Sequence, residues 1–322
     1  MRRAVYFLLI TTILFTGCSN EKIKTDEISG NQWKLISVLP YNSRSVMYYN
    51  FNQLQKSGYW PQLRKVISDF DDSKSWIEDF KDNPKIINGG NLTETITALT
   101  GQNKTVVGML FVHNSNEIIN YLDNNPGFRK RIFKGKEIFS RKNKPLREFL
   151  LFNSSVLIAT NDSMYLDSLI SGNGKSLKDN NYFTSLIKEI KSKKYFWLVS
   201  DKGESAEKLA RRITGANTYL PAAKLLKAIK RLSLAADFSG GLTIESTLWC
   251  DGISNAYLIA AGIKSYLAMD ILSDTNYDLN QTLKQLKINR EKEKIILDLD
   301  ISNEQLAGLI NLAKKEYTSK KL

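Results

Sequence analysis

The chain has 322 residues, 46 of them Lys or Arg, 33 Asp or Glu, one His and two Cys, for a formal net charge of +13. Hydrophobic residues at 42% and charged residues at 25% are ordinary globular proportions and exclude wholesale disorder. A single histidine excludes a multi-histidine metal site, and the surplus of cations favours negatively charged surroundings without naming a reaction.

Segment 1–17 opens on Arg2 and Arg3, runs through apolar residues from Ala4 to Phe15 and ends in small residues before Cys18. That is the three-part layout of a secretory signal, and it falls short of the roughly 20 apolar residues a membrane span needs. The ending Leu14-Phe15-Thr16-Gly17-Cys18 resembles the lipobox of bacterial lipoproteins, with Phe15 where that family usually has Leu, Val or Ile. The resemblance implies cleavage before Cys18 and a mature N-terminus carrying several acyl chains on Cys18, enough for stable anchoring. Ser19, in place of aspartate, implies the outer membrane in preference to the inner. Residues 18–32 are polar and read as the lipidated end and its tether, with a root-mean-square span of roughly 20 Å. Export removes intracellular nucleic acid as a partner. Lipidation of Cys18 leaves Cys250 no cysteine to pair with, so stability must come from packing.

Aromatic and β-branched runs predict strands at 45–51, 105–112, 149–160 with a turn at Asn153-Ser154, and 195–200. From 232 to 250, Leu232, Leu234, Ala236 and Phe238 alternate, Ser239-Gly240-Gly241 turns the chain, and Leu242, Ile244, Ser246, Leu248 and Cys250 share a face, a half-buried hairpin. Ile295, Leu297, Leu299 and Ile301 point inward along another strand, with Asp298 and Asp300 outward in water. Helical spacing links Leu63, Val66, Ile67 and Phe70, then Ile259, Ile263, Leu267 and Ile271, and after a cap at Ser302 or Asn303 it links Leu306, Leu309, Ile310 and Leu312. Strands in hairpins and helices in separate blocks predict an α+β fold with mainly antiparallel sheets and packed helices. An aromatic strand followed by helices and hairpins begins at Ser45 and again at Tyr195, which divides the body into lobes 33–194 and 195–322; one continuous domain fits the same pattern.

Leu39-Pro40 before Ser45-Val46-Met47-Tyr48-Tyr49-Asn50-Phe51-Asn52-Gln53-Leu54, together with Leu157-Ile158-Ala159-Thr160 and Ser176-Leu177 ahead of an Asn-Tyr-Phe helix start, is similar to a group of uncharacterised bacterial envelope proteins. The likeness spans about half the chain. It implies an envelope address and a repeated α+β fold, and no reaction.

No complete catalytic motif is present. His113 ends the 105–112 strand, and no Gly-x-Ser-x-Gly elbow exists to give it a nucleophile. Ser171-Gly172-Asn173-Gly174-Lys175-Ser176 ends like a phosphate loop, but Leu169 stands where the motif needs its first glycine, so it reads as a turn. Asp69, Asp71, Asp72, Glu78, Asp79 and Asp82 lack calcium-loop spacing and read as a solvated helix end. Cys250 reads as core.

Nine cations, Arg129, Lys130, Arg131, Lys134, Lys136, Arg141, Lys142, Lys144 and Arg147, are opposed within their segment by Glu137 alone, with Phe128, Phe133 and Phe139 interleaved. They form either an anion-binding patch or a solvated hairpin. Lys208, Arg211, Arg212, Lys224, Lys227, Lys230 and Arg231 form a second group, in which Leu225, Ile229 and Leu232 supply the stripe of a surface helix. The expectation is a membrane-anchored, non-enzymatic envelope lipoprotein that needs no cofactor and binds a protein partner or an anionic lipid or glycan. The alternative is an envelope hydrolase using carboxylates or His113.

Overall fold

The computed structural model describes residues 26–57, 92–100, 104–111, 116–142, 148–201, 227–273 and 277–309. Cys18, His113, Lys144, Arg147 and the acids between Asp69 and Asp82 lie outside them. The chain forms two compact units, one of Glu27–Lys188 and one of Glu189–Leu322 joined by the N-terminal segment through Asp26. Both are built from antiparallel strands with helices packed on them, so the class is α+β.

In the first unit the elements are α1 (Gly30–Ile36), β1 (Ser43–Asn50), α2 (Phe51–Lys56), β2 (Leu92–Thr100), β3 (Thr105–Phe111), α3 (Asn116–Asn124), β4 (Phe128–Phe133), β5 (Lys136–Arg141), β6 (Glu148–Asn153), β7 (Val156–Thr160), α4 (Ser163–Ile170) and α5 (Asn181–Glu189). Its strands lie in the order β1-β2-β3-β7-β6-β5-β4. The polar 18–32 range contains the start of α1, where Ser29 and Gln32 cap each other: the Gln32 N–H donates to Ser29 Oγ at 3.1 Å, and the Ser29 N–H to Gln32 Oε1 at 3.2 Å. Leu35 and Ile36 are then buried. The helix lies close to the sheet because Gly108 has no side chain; a Cβ there would sit 3.1 Å from Val38 and 3.3 Å from Leu35.

Phe51, read as strand, opens α2, because Asn50 turns its side chain to accept from the Gln53 N–H at 3.0 Å. The Asn153-Ser154 turn forms as read, with Asn153 Oδ1 accepting from the N–H groups of Ser155 and Val156. Residues 171–176 are a turn, with Gly172 in the left-handed region after α4.

In the second unit β8 (Phe196–Ser200), β9 (Ile229–Asp237), β10 (Leu242–Cys250), α6 (Ile253–Ser273), α7 (Tyr277–Lys284), β11 (Lys287–Glu291) and β12 (Lys294–Ile301) are followed by helical residues 303–309. The strands lie in the order β11-β12-β10-β9-β8. Register places Leu232, Leu248 and Ile295 side by side, and likewise Ala236, Ile244 and Leu299, so the alternation read along each strand becomes one apolar face. Cys250 is buried at its end, and burial pushes its thiol up to about 11. Ile229 and Leu232, read as a helical stripe, belong to β9; residues 229–237 carry the two-residue period that pairs with β10, and that pairing overrides the helical spacing. Ser302 caps the helical residues 303–309 in a mutual pair with Gln305, and Leu306 and Leu309 are buried.

Candidate functional site

The hairpin β4–β5 carries most of the basic segment. Lys134 and Gly135 both adopt positive φ (46° and 76°), the requirement of a two-residue hairpin turn whose twist matches its strands. Register sends Phe128 and Phe139 to one face, where they are buried with Phe149, and leaves Phe133 on the other, half-buried beneath the charges of Arg131 and Lys134.

Acids close by meet the central cations. Arg131 donates to both carboxylate oxygens of Glu148, at 3.2 and 3.1 Å, and to Asp167 at 3.0 Å. Glu148 is 5% exposed, and its hydrogen bonds hold the guanidinium charge more firmly than usual. Lys130 lies 3.0 Å from both Asp123 and Glu137, Lys134 donates to Ser171 Oγ, and Lys142 donates to the Pro126 carbonyl. Arg141 is half-buried, while Arg129 and Lys136 are exposed. Glu137, the acid the sequence places within the segment, lies on β5 of the hairpin itself; Asp123, Glu148 and Asp167 come from α3, β6 and α4, folded around the hairpin, where spacing along the chain could not identify them.

In the second unit Asp298 departs from its expected exposure. Glu245 and Asp298 face each other across β10 and β12, in one row with Trp197, Ala235 and Lys287. Lys191 reaches both, 3.2 Å from Glu245 and 3.6 Å from Asp298, whose side chains are 17% and 14% exposed. Asp300 does stay exposed and accepts from Thr243 Oγ1 at 2.7 Å. Burial, reinforced by Asp298 and opposed by Lys191, pushes Glu245 up to about 7; burial also raises Asp298. Burial opposes the charge of Lys191, yet the two carboxylates raise it on balance.

The segment bearing Lys191 is tied down twice more. Ser192 Oγ donates to Asp237 at 2.8 Å, and Asp26 is stitched alongside: its N–H donates to the Lys191 carbonyl at 2.8 Å, its carboxylate accepts from the Lys193 N–H at 3.1 Å, and its carbonyl accepts from Lys193 Nζ at 2.7 Å. Lys193 Nζ also donates to the Ile190 carbonyl, and burial lowers its pKa.

Helix α6 is the other unusual feature of this unit. Ala256, Ile259, Ala260 and Leu267 are buried on the sheet side, as the helical spacing predicts for Ile259 and Leu267. The opposite side is rich in apolar residues: Ile253, Tyr257, Leu258 and Met269 are 56%, 61%, 51% and 70% exposed, with Gly262 and Ala268 between them and Ser254, Lys264 and Ser265 exposed as its polar members. Its sequence carries only two charges, Lys264 and Asp270. Arg290 of β11 lies over the Tyr257 ring at 5.7 Å. Single exposed apolar residues are ordinary; here several stand along one helix. The sequence shows it as a mainly apolar run with few polar residues; the helical spacing reports only the packed half.

Among the described residues, no group of three or more His, Cys, Asp or Glu is placed to hold a metal ion, and no helix is long and apolar enough to cross a membrane. No protein-family model matches the sequence, and a comparison with curated proteins finds no relative. Solved structures do match in fold. Crystal form I of TP0453 aligns at 10% identity with a TM-score of 0.53, over 86% of this chain and 96% of that one. Form III aligns at 11% identity and 0.50 over 85% and 96%, and form IV at 12% and 0.50 over 87% and 99%. At such identities the likeness is one of fold.

Proposed function

We propose that this chain is a non-enzymatic envelope lipoprotein, anchored through Cys18, whose α6 lays its outer face into the surface of the bilayer that holds the anchor. The carrying observation is that outer face: Tyr257, Leu258 and Met269 stand in solvent on a helix nearly free of charge. Partial insertion of such a helix at the headgroup boundary removes its apolar side chains from water without crossing the membrane.

The anchor supplies proximity. From Cys18 to Asp26 there are eight residues, which reach at most about 28 Å. Asp26 is bound to Lys191 and Lys193 in the unit that also carries α6. A lipidated Cys18 therefore keeps that unit beside the membrane, where modest attraction suffices to hold it.

The test uses the full chain with Cys18→Ser, so that binding reports the body alone, and vesicles of phosphatidylethanolamine and phosphatidylglycerol. Leu258→Gln with Met269→Gln should lower vesicle partitioning by about tenfold or more, since each side chain forfeits on the order of 1 kcal/mol of apolar burial. Equal partitioning by the parent and the double variant would remove α6 as the membrane face. A second reading, anion binding by the β4–β5 hairpin, rests on exposed Arg129 and Lys136, which engage no acid among the described residues.

A further inference from the structure

Two carboxylates and one ammonium stand together under the segment Glu189–Lys193. Glu245 and Asp298 are neighbours across adjacent strands, and Lys191 serves both. Each ionised acid needs compensation once it is withdrawn from water, and like charges side by side oppose each other's ionisation. Of the other described charges, Lys193 attracts Glu245 and Lys287 attracts Asp298 at longer range, while Asp300 repels Asp298. Lys193 turns its ammonium to the carbonyls of Asp26 and Ile190, Asp237 accepts from Ser192, Glu189 pairs with Lys294, Asp300 bonds Thr243, and Lys287 sits beyond Asp298 toward the sheet edge. Among the described residues Lys191 is the cation within ion-pair distance of both acids, and burial of two adjacent carboxylates outweighs the longer-range attraction of Lys193 and Lys287, so the pair favours holding a proton.

We infer that the Glu245–Asp298 pair with Lys191 is a proton-loaded latch: while the pair holds a proton the segment Glu189–Lys193, with Asp26 stitched to it, stays seated on the sheet, and loss of that proton loosens the segment. The direction follows from linkage. A carboxyl that binds its proton more tightly when covered than when exposed makes the covered state more favourable as pH falls and less favourable as pH rises. The neutral range in which Glu245 titrates puts the change within physiological reach. The seated segment carries both chain connections between the units, 26/27 and 188/189, so the latch controls how firmly those connections are rooted in the second unit.

Hydrogen exchange of the full chain with Cys18→Ser tests this, with rates corrected for their intrinsic pH dependence. Between pH 6 and pH 8 the opening of residues 189–194 should increase by about tenfold, the ratio given by a carboxyl at 4.5 when exposed and about 7 when covered, while the β9–β10 core holds steady. Glu245→Gln, a permanent stand-in for the protonated acid, should abolish that pH response and keep the segment as protected at pH 8 as the parent is at pH 6. Unchanged protection in the parent over this range, or the same response in Glu245→Gln, would overturn the inference. Carboxyl carbon shifts of the parent chain report on the proton without any substitution: a titration near neutrality at Glu245 or Asp298 supports the latch, and full ionisation of both below pH 5 rejects it.

Discussion

Glu245 and Asp298 occupy directly opposed positions on antiparallel β10 and β12, and Lys191, from outside the sheet, bridges them. Burial holds Glu245 at about 7, above the 4.5 of an exposed glutamate, so the folded chain binds more protons than the unfolded chain between these values. The contribution of this group to stability is therefore complete in acid and is lost as pH rises toward 7. Global unfolding in urea should show Glu245→Gln more stable than the parent at pH 8, by up to about 3 kcal/mol, and closer to it at pH 5. A parent that gains stability over this interval relative to Glu245→Gln contradicts the sign.

Arg131 makes the opposite kind of contact. Removing it as Arg131→Ala leaves Glu148 almost fully enclosed without its cation. Because the guanidinium is 35% exposed, the loss is discounted from that of a deeply buried pair to about 1–3 kcal/mol. Adding Glu148→Gln to Arg131→Ala should recover part of it, since the uncompensated charge is gone. A double variant as unstable as the sum of the two single ones would mean that the pair contributes no coupling.

Much of the fold was readable along the chain, and the misses share a cause. The hairpin over 232–250 was legible because strict alternation was bounded by Ser239-Gly240-Gly241. The helix α1 was announced by the capping pattern Ser29-x-x-Gln32, but its first three residues, Gly30–Gln32, sit in a polar stretch whose composition reads as tether. β2, with its Leu92-Thr-Glu-Thr-Ile96 run, pairs on both sides and buries Thr95 and Glu94, which composition alone places in water. For the sites, Asp298 had the right strand position and the wrong environment. Outward on a strand means wet only when nothing crosses that face, and the crossing segment Glu189–Lys193 is distant in sequence. The same non-local pairing hid Glu148 and Asp167 from any reading of the basic segment.

Gly241 is held by a backbone neighbour. Its φ of 135° lies outside the range that side chains accept, and a Cβ would come within 2.1 Å of the Ile301 carbonyl oxygen. Gly241→Ala should cost about 3 kcal/mol or more, because the obstacle is backbone of β12 and cannot rotate aside. Gly240→Ala, where a Cβ meets nothing within 4 Å, serves as the control and should change stability by less than about 1 kcal/mol. Parity between these two variants in thermal melts would contradict the placement of the turn.

Anchoring has its own test in cells. Cys18→Ser should move the protein from the membrane fraction to the soluble envelope fraction if α6 alone binds weakly, and it should abolish incorporation of labelled fatty acid. Retention of label in Cys18→Ser would reject the lipobox reading. Persistence at the membrane without label would instead mean that the body binds strongly by itself, an outcome that adding Leu258→Gln and Met269→Gln should reverse.

The salt dependence of vesicle binding separates the two candidate surfaces. Exposed Arg129 and Lys136 act through charge, and each contributes on the order of 1 kcal/mol near an anionic surface at low ionic strength. That attraction fades as the screening length shortens to roughly 8 Å at physiological salt. Burial of Tyr257, Leu258 and Met269 does not fade with screening. The variant Arg129→Gln with Lys136→Gln should therefore bind phosphatidylglycerol vesicles more weakly than the parent at low salt and equally at physiological salt. Leu258→Gln with Met269→Gln should bind more weakly at both. Lys130 and Arg131 are poor choices for such a test, since Asp123, Glu137, Glu148 and Asp167 already engage them and their loss disturbs the hairpin itself. A parent whose binding vanishes at physiological salt, together with an α6 variant that behaves like it throughout, would transfer the membrane contact from the helix to the hairpin.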